Sequence, residues 1–123
     1  MSLVPDGLKY TKDHEWAKLE GAVATVGVTD HAQRELGDIV FVELPKVGAA
    51  VKAGESFGTI EAVKTVAELY APVSGTIEAV NTSLSADAGV INNDPYGNGW
   101  IIKVKVAGPQ EGLMDPAAYK ALI

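Results

Sequence analysis

The chain has 123 residues, enough for one domain with one core and too few for two. Its hydrophobic fraction of 47% and charged fraction of 21% are those of a folded globular protein and exclude a disordered one. The formal net charge of −6 opposes binding to nucleic acid or anionic membranes, and the lack of cysteine excludes disulfides, thiolate zinc sites and a cysteine nucleophile.

The N-terminus, Met-Ser-Leu-Val-Pro-Asp, has neither the basic and apolar regions of a signal peptide nor an Arg/Ser-rich transit composition. No apolar run approaches the ~20 residues that span a bilayer. A soluble, cytoplasmic chain or an already processed one is expected, with Met1 to Leu3 reading as a cloning remnant. Short strands are predicted at Leu8 to Thr11 and Trp16 to Leu19, on either side of a polar Lys-Asp-His-Glu stretch. Gly21 turns the chain into Ala22 to Val28, whose β-branched residues predict a strand. A helix is expected over Thr29 to Leu36, with Asp30 and Gln33 as a capping box and Gly37 as its left-handed C-terminal residue. Asp38 to Leu44 reads as a strand that Pro45 ends.

The pattern then stays β. Val47-Gly48 and Ala53-Gly54 are turn signals around a short apolar piece. Strands are predicted at Phe57 to Val63, Val66 to Tyr70 and Thr76 to Val80, with Pro72 and Gly75 between the last two. Asp94 to Gly99 is a turn cluster, and Gly97-Asn98-Gly99 within it lacks the downstream glycine of a dinucleotide loop. In Trp100 to Val106, Ile102, Val104 and Val106 alternate with Lys103 and Lys105, so one face is buried and the other wet. Asp115-Pro116 opens a C-terminal helix. Many short strands with two short helices predict a mainly β protein, a small β-sandwich or partly closed barrel. Trp16, Phe57 and Trp100 are expected in its core.

Gly58-Thr-Ile-Glu-Ala-Val63 recurs verbatim as Gly75-Thr-Ile-Glu-Ala-Val80, too close for a solenoid unit. Gly37 to Val42 resembles the second copy more loosely, which suggests two similar half-sheets meeting near residues 64 to 74. The verbatim match then falls partly by coincidence on non-equivalent strands.

At that junction stands Glu61-Ala-Val-Lys64-Thr, followed by Ala71-Pro-Val-Ser-Gly75. Lys64 is the only basic residue between Lys52 and Lys103, and a hairpin tip built around it is expected. By chemistry alone an ordinary solvated lysine is the stronger reading. His14 and His31 are too few for a metal cluster and are expected to hydrogen-bond locally. No Gly-x-Ser-x-Gly elbow is present, and intrinsic catalysis is not expected.

Six segments in the same order resemble the glycine cleavage system H-protein family, within the biotinyl/lipoyl-attachment fold. They are Gly7 to Trp16, Val26 to Gln33, Leu36 to Pro45, Glu61 to Lys64, Pro72 to Gly75, and Asn93 to Gly97 with Gly99-Trp100. The chain departs from the usual pattern with Ala62 in place of serine and Thr65 in place of a small residue. The resemblance implies one lipoyl-carrier domain over 1–123, with a lipoyl-like core over 37–106 and a C-terminal helical segment over 111–123. It implies lipoic acid in amide linkage on Lys64, with Glu61, Val63 and Thr65 forming the attachment site. It further implies a non-catalytic, monomeric shuttle. Glycine decarboxylase loads an aminomethyl group, an aminomethyltransferase removes it, dihydrolipoamide dehydrogenase reoxidises the dithiol, and a lipoate-attaching enzyme installs the arm. Asp13, Glu15 and Glu68 are the acids implied for a cleft that receives the loaded arm, Glu15 foremost. Two other classes stay open: a carrier of the same fold used for biotin or for relaying lipoyl groups, and an unmodified partner-binding β-domain. Val63-Lys64-Thr65 is unlike the Met-Lys-Met of biotin sites.

Overall fold

The computed structural model describes residues 3–108, 110 and 112–123. The first two residues of the expected N-terminal remnant and the first of the 111–123 segment lie outside them. Nine strands run β1 Lys9–Tyr10, β2 Glu15–Glu20, β3 Val23–Val28, β4 Ile39–Glu43, β5 Ala50–Val51, β6 Ser56–Ala62, β7 Val66–Tyr70, β8 Gly75–Val80 and β9 Ile102–Val106. Helices α1 Asp30–Leu36, α2 Val90–Asn93 and α3 Pro116–Leu122 and a 3-10 turn at Thr82–Ser85 complete the fold.

The strands form two antiparallel sheets, β1-β2-β3-β9-β8-β5 and β4-β6-β7. Each sheet keeps two edges, so the architecture is a sandwich and not a closed barrel. The expected half-sheets are unequal, six strands against three, because the N-terminal β1-β2-β3 meander adds to one sheet alone. Their common core holds Val26, Ile39, Val42, Ile60, Leu69, Val73, Ile77 and Val104, all nearly sealed from solvent. A second cluster of Leu8, Tyr10, Trp16 and Tyr119 fastens α3 to β1 and β2, with the Tyr10 and Tyr119 rings stacked at 4.7 Å.

Local chemistry explains where expectation and structure part. The helix cap falls one residue before the expected capping box. Thr29 has the extended backbone a cap requires, and its Oγ1 accepts from Ala32 N at 3.1 Å. Asp30 is instead inside α1, where its carboxylate accepts from Gln33 Nε2, Arg34 Nε and Leu3 N. Gly37 has the positive φ expected of it, 79°, but its ψ of −153° is extended, so the chain passes straight into β4. The strand expected from Trp100 begins only at Ile102. Trp100 N closes the preceding turn on Gly97 O, and Trp100 itself is half-buried under the Lys103 ammonium, while Trp16 and Phe57 are buried. The short pieces β5, α2 and the 3-10 turn carry too few residues for periodicity to register.

The two copies of Gly-Thr-Ile-Glu-Ala-Val lie in different sheets, β6 between β4 and β7, and β8 between β9 and β5. Their local demands nevertheless coincide. A Cβ on Gly58 would strike the carbonyl of Glu43, and one on Gly75 the carbonyl of Lys105. Ile60 and Ile77 are both core residues, and Glu61 and Glu78 both face solvent. Ala71 to Ser74 carries the chain from the small sheet to the large one, where the two half-sheets were expected to meet.

Candidate functional site

Lys64 stands at the tip of the β6-β7 hairpin, exposed between Val63 and Thr65. The tip is narrow because Ala62 N donates to Thr65 O at 2.8 Å. It is also anchored, since Val63 N donates to Asp38 O at 3.0 Å. Asn92, on α2, braces the strip to which it is anchored: its Oδ1 accepts from Ile39 N at 2.9 Å and its Nδ2 donates to Gly37 O at 2.8 Å. The lysine stem passes over Gly37, where an added Cβ would lie 3.5 Å from Lys64 Cε. Among the described residues the Lys64 ammonium makes no ion pair. Asn92 was not legible as part of this site, because the turn-rich sequence around it gives no sign that its amide reaches back to residues 37 and 39.

The three acids singled out from the sequence come together. Asp13, Glu15 and Glu68 line one cleft of about 170 Å³ with Glu35, between the β1-β2 turn, α1 and β7. Their settings differ. Asp13 and Glu68 are exposed, and Glu68 Oε2 accepts from Ser56 Oγ at 2.6 Å. Glu15 is buried, with 2% of its surface exposed. Its Oε1 accepts from Thr11 Oγ1 at 2.8 Å and its Oε2 from Tyr70 N at 3.3 Å. Burial pushes its carboxyl up to about 8, more than these two donors pull it down. Glu61 lies elsewhere, exposed on the outer face of the small sheet.

His14 also lines the cleft and is the one non-glycine residue with positive φ among those described, at 68°. Its Nδ1 meets Tyr119 Oη at 2.8 Å, and the same hydroxyl meets Thr29 Oγ1 at 2.8 Å. Burial and the neighbouring His31 ring, 4.8 Å away, hold the His14 imidazole below its ordinary pKa. The two histidines are thus neighbours in space although 17 residues apart in the chain (31 − 14). Among the described residues no three His, Asp or Glu side chains are grouped to hold a metal ion. Nor is any helix there long and apolar enough to cross a membrane.

The site thus has two parts, an exposed lysine on a braced hairpin tip and a cleft lined by acids. The family model for "Glycine cleavage H-protein" matches residues 8–123. The chain belongs to that family. A glycine cleavage system H protein of Rubrobacter xylanophilus is 56% identical over 119 residues, covering 97% of this chain and 94% of the relative. That of Chlorobium limicola is 59% identical over 124 residues, covering 98% and 97%. The crystal structure of a glycine cleavage system H protein from Mycobacterium marinum superposes with a TM-score of 0.89 at 44% identity, covering 96% of this chain and 97% of that one. The chain is therefore a component of the glycine cleavage system.

Proposed function

We propose that the chain is the lipoylated, non-catalytic shuttle of that system, with lipoic acid in amide linkage to Lys64. The observation that carries this reading is the unpaired amine on an anchored hairpin tip with an acid-lined cleft within reach. A solvated lysine on a loose turn needs neither the Val63–Asp38 bond nor the Asn92 brace. Glu68 is four residues beyond Lys64 (68 − 64), on the order of 13 Å along a strand. A lysine stem extended by a lipoyl chain has a comparable reach of roughly 14 Å. The residues present therefore fit the group.

When bound, the dithiolane would supply the redox sulfur that accepts an aminomethyl group with glycine decarboxylase, yields it with the aminomethyltransferase and is reoxidised by dihydrolipoamide dehydrogenase. The chain's own residues supply position. Val63, Thr65 and the neighbouring Glu61 frame the amine that a lipoate-attaching enzyme must acylate. The cleft acids Asp13, Glu15 and Glu68 would hold a positively charged arm terminus by charge-assisted hydrogen bonds and keep water from it.

Intact-mass measurement after incubation with lipoate, ATP and a lipoate ligase tests the assignment. The parent protein should gain one lipoyl mass, and Lys64→Arg none, since the guanidinium stays protonated and is a poor acyl acceptor. Lys52→Ala and Lys103→Ala should load like the parent. Loading of Lys64→Arg overturns the site, and a biotin mass or none at all on the parent favours one of the other two classes.

A further inference from the structure

On the outer face of the small sheet, a bulge in β4 turns two consecutive apolar side chains toward solvent beside the lysine tip. Regular alternation along Ile39-Val-Phe-Val42 would bury Phe41 with Ile39, or Val40 with Val42. Instead Ile39 pairs with Ala62 and Phe41 with Glu61, leaving Val40 as the extra residue. Ile39 and Val42 face the core, each 4% exposed, while Val40 is 57% and Phe41 49% exposed. Phe41, Glu61 and Val66 then stand in one row across the three strands. Val63, at 75%, and Val66, at 62%, flank Lys64 on the same hairpin. An edge strand carrying exposed valine and phenylalanine is a pairing hazard, and bulges recur where a strand re-aims side chains for function.

Resting on the carrier reading above, we propose that this apolar collar is the docking surface for the enzyme that acylates Lys64, and not for the enzymes that act on the finished arm. Reach separates the two. A bare lysine extends about 6 Å from its Cα, so an acylating enzyme must bring its active site down onto the tip. An enzyme working at the end of the completed arm stands off by more than twice that distance. Charge describes the partner further. Asp38 and Glu43 flank Val40 and Phe41 along the chain, and Glu61 stands between Phe41 and Val66. Lys64 is the sole cation from β6 through β7, so the partner presents an apolar surface carrying basic groups. In the step so positioned, the Lys64 Nζ forms an amide bond to the carbonyl of an activated lipoyl donor, a mixed acyl-phosphate anhydride. The ammonium first gives one proton to solvent so that the neutral amine can attack. The carbonyl–phosphate bond breaks with the phosphate taking the bonding pair, and the second Nζ proton passes to solvent.

The test compares the parent, the double variant Val40→Ser/Phe41→Ser, and Val47→Ser, which removes an exposed valine away from the tip. Lipoyl transfer is followed by intact mass with limiting lipoate ligase, lipoate and ATP. The double variant should lose about tenfold in kcat/KM, carried by KM, and Val47→Ser should match the parent. Raising salt should raise KM for the parent. Once driven to full loading by excess ligase, the double variant should be reoxidised by dihydrolipoamide dehydrogenase at the parent rate. Circular dichroism melting of all three confirms that the fold is unchanged. Equal loading of double variant and parent overturns the docking surface alone, as does an equal loss with Val47→Ser or in the dehydrogenase reaction. A parent that gains no lipoyl mass overturns the carrier reading and this one with it.

Discussion

Glu15 is the residue whose setting departs furthest from what its type predicts. A glutamate on a surface strand is ordinarily solvated and charged. Here it lies beneath the cleft with a pKa near 8. Between its ordinary value of 4.5 and about 8, the folded chain holds a proton that the unfolded chain has released. The stability from that proton is full below pH 4.5 and is lost as pH rises through 8. Glu15→Gln removes the titration, so the parent should lose on the order of a few kcal/mol relative to Glu15→Gln between pH 5 and 8.5. Urea unfolding of both proteins at the two pH values measures this. The His14 contribution, of opposite sign because its pKa is lowered, cancels in the comparison. A pH dependence that is the same in both proteins would show that Glu15 is solvated. The same setting bears on arm docking: a cation entering the cleft favours the ionised carboxyl and so releases a proton on arrival. That Glu15 shares one cleft with Asp13 and Glu68 was legible only through the resemblance. That it is buried was not, because its surroundings include residues as distant in the chain as Tyr70, 55 residues away (70 − 15), whose N–H donates to it.

Among the elements, β6 is the one from which the lysine tip hangs. It is the central strand of the small sheet, it leads into the lysine tip, and its Gly58 admits the Glu43 carbonyl of β4. Because the obstacle is backbone, a side chain there must separate two hydrogen-bonded strands and cannot be relieved by a rotamer change. Gly58→Ala should therefore cost about 1–3 kcal/mol, read from the midpoint of urea unfolding. Amide exchange at Val63 should quicken with it, since the tip hangs from this strand. A midpoint within error of the parent would mean that β4 can shift freely. The elements long enough to show a period were legible: β3, α1, β4, β6, β7 and β8 fall within a residue or two of their expected bounds. The bulge at Val40 was not. A two-residue period read along Ile39 to Val42 assigns Phe41 to one face, and only pairing with β6 shows that an extra residue has rotated it out.

At the scale of the whole molecule, the N-terminal meander of the large sheet, α1 and strands β6 and β7 of the small sheet converge to build the cleft. The fully lipoylated protein alone should release no carbon dioxide from glycine, and release should appear and saturate as it is added to the other three components. Labelled carbon dioxide from [1-14C]glycine is the measurement, and turnover by the carrier alone would refute the assignment. What the sequence by itself determined was local or carried by a linear motif. Alternation and turn chemistry called for the strands, Asp115 marked the start of the C-terminal helix, and ordered motifs marked Lys64. What only the tertiary structure decided depends on contacts distant in sequence. Asn92 braces the lysine tip from across the fold, and Tyr119 reaches back 105 residues to hold the strained His14. Glu15 is neutral because other elements cover it, and the apolar collar exists because one strand slips a residue against its neighbour. Each is an effect of packing between elements, and neither propensity nor periodicity records which elements will meet.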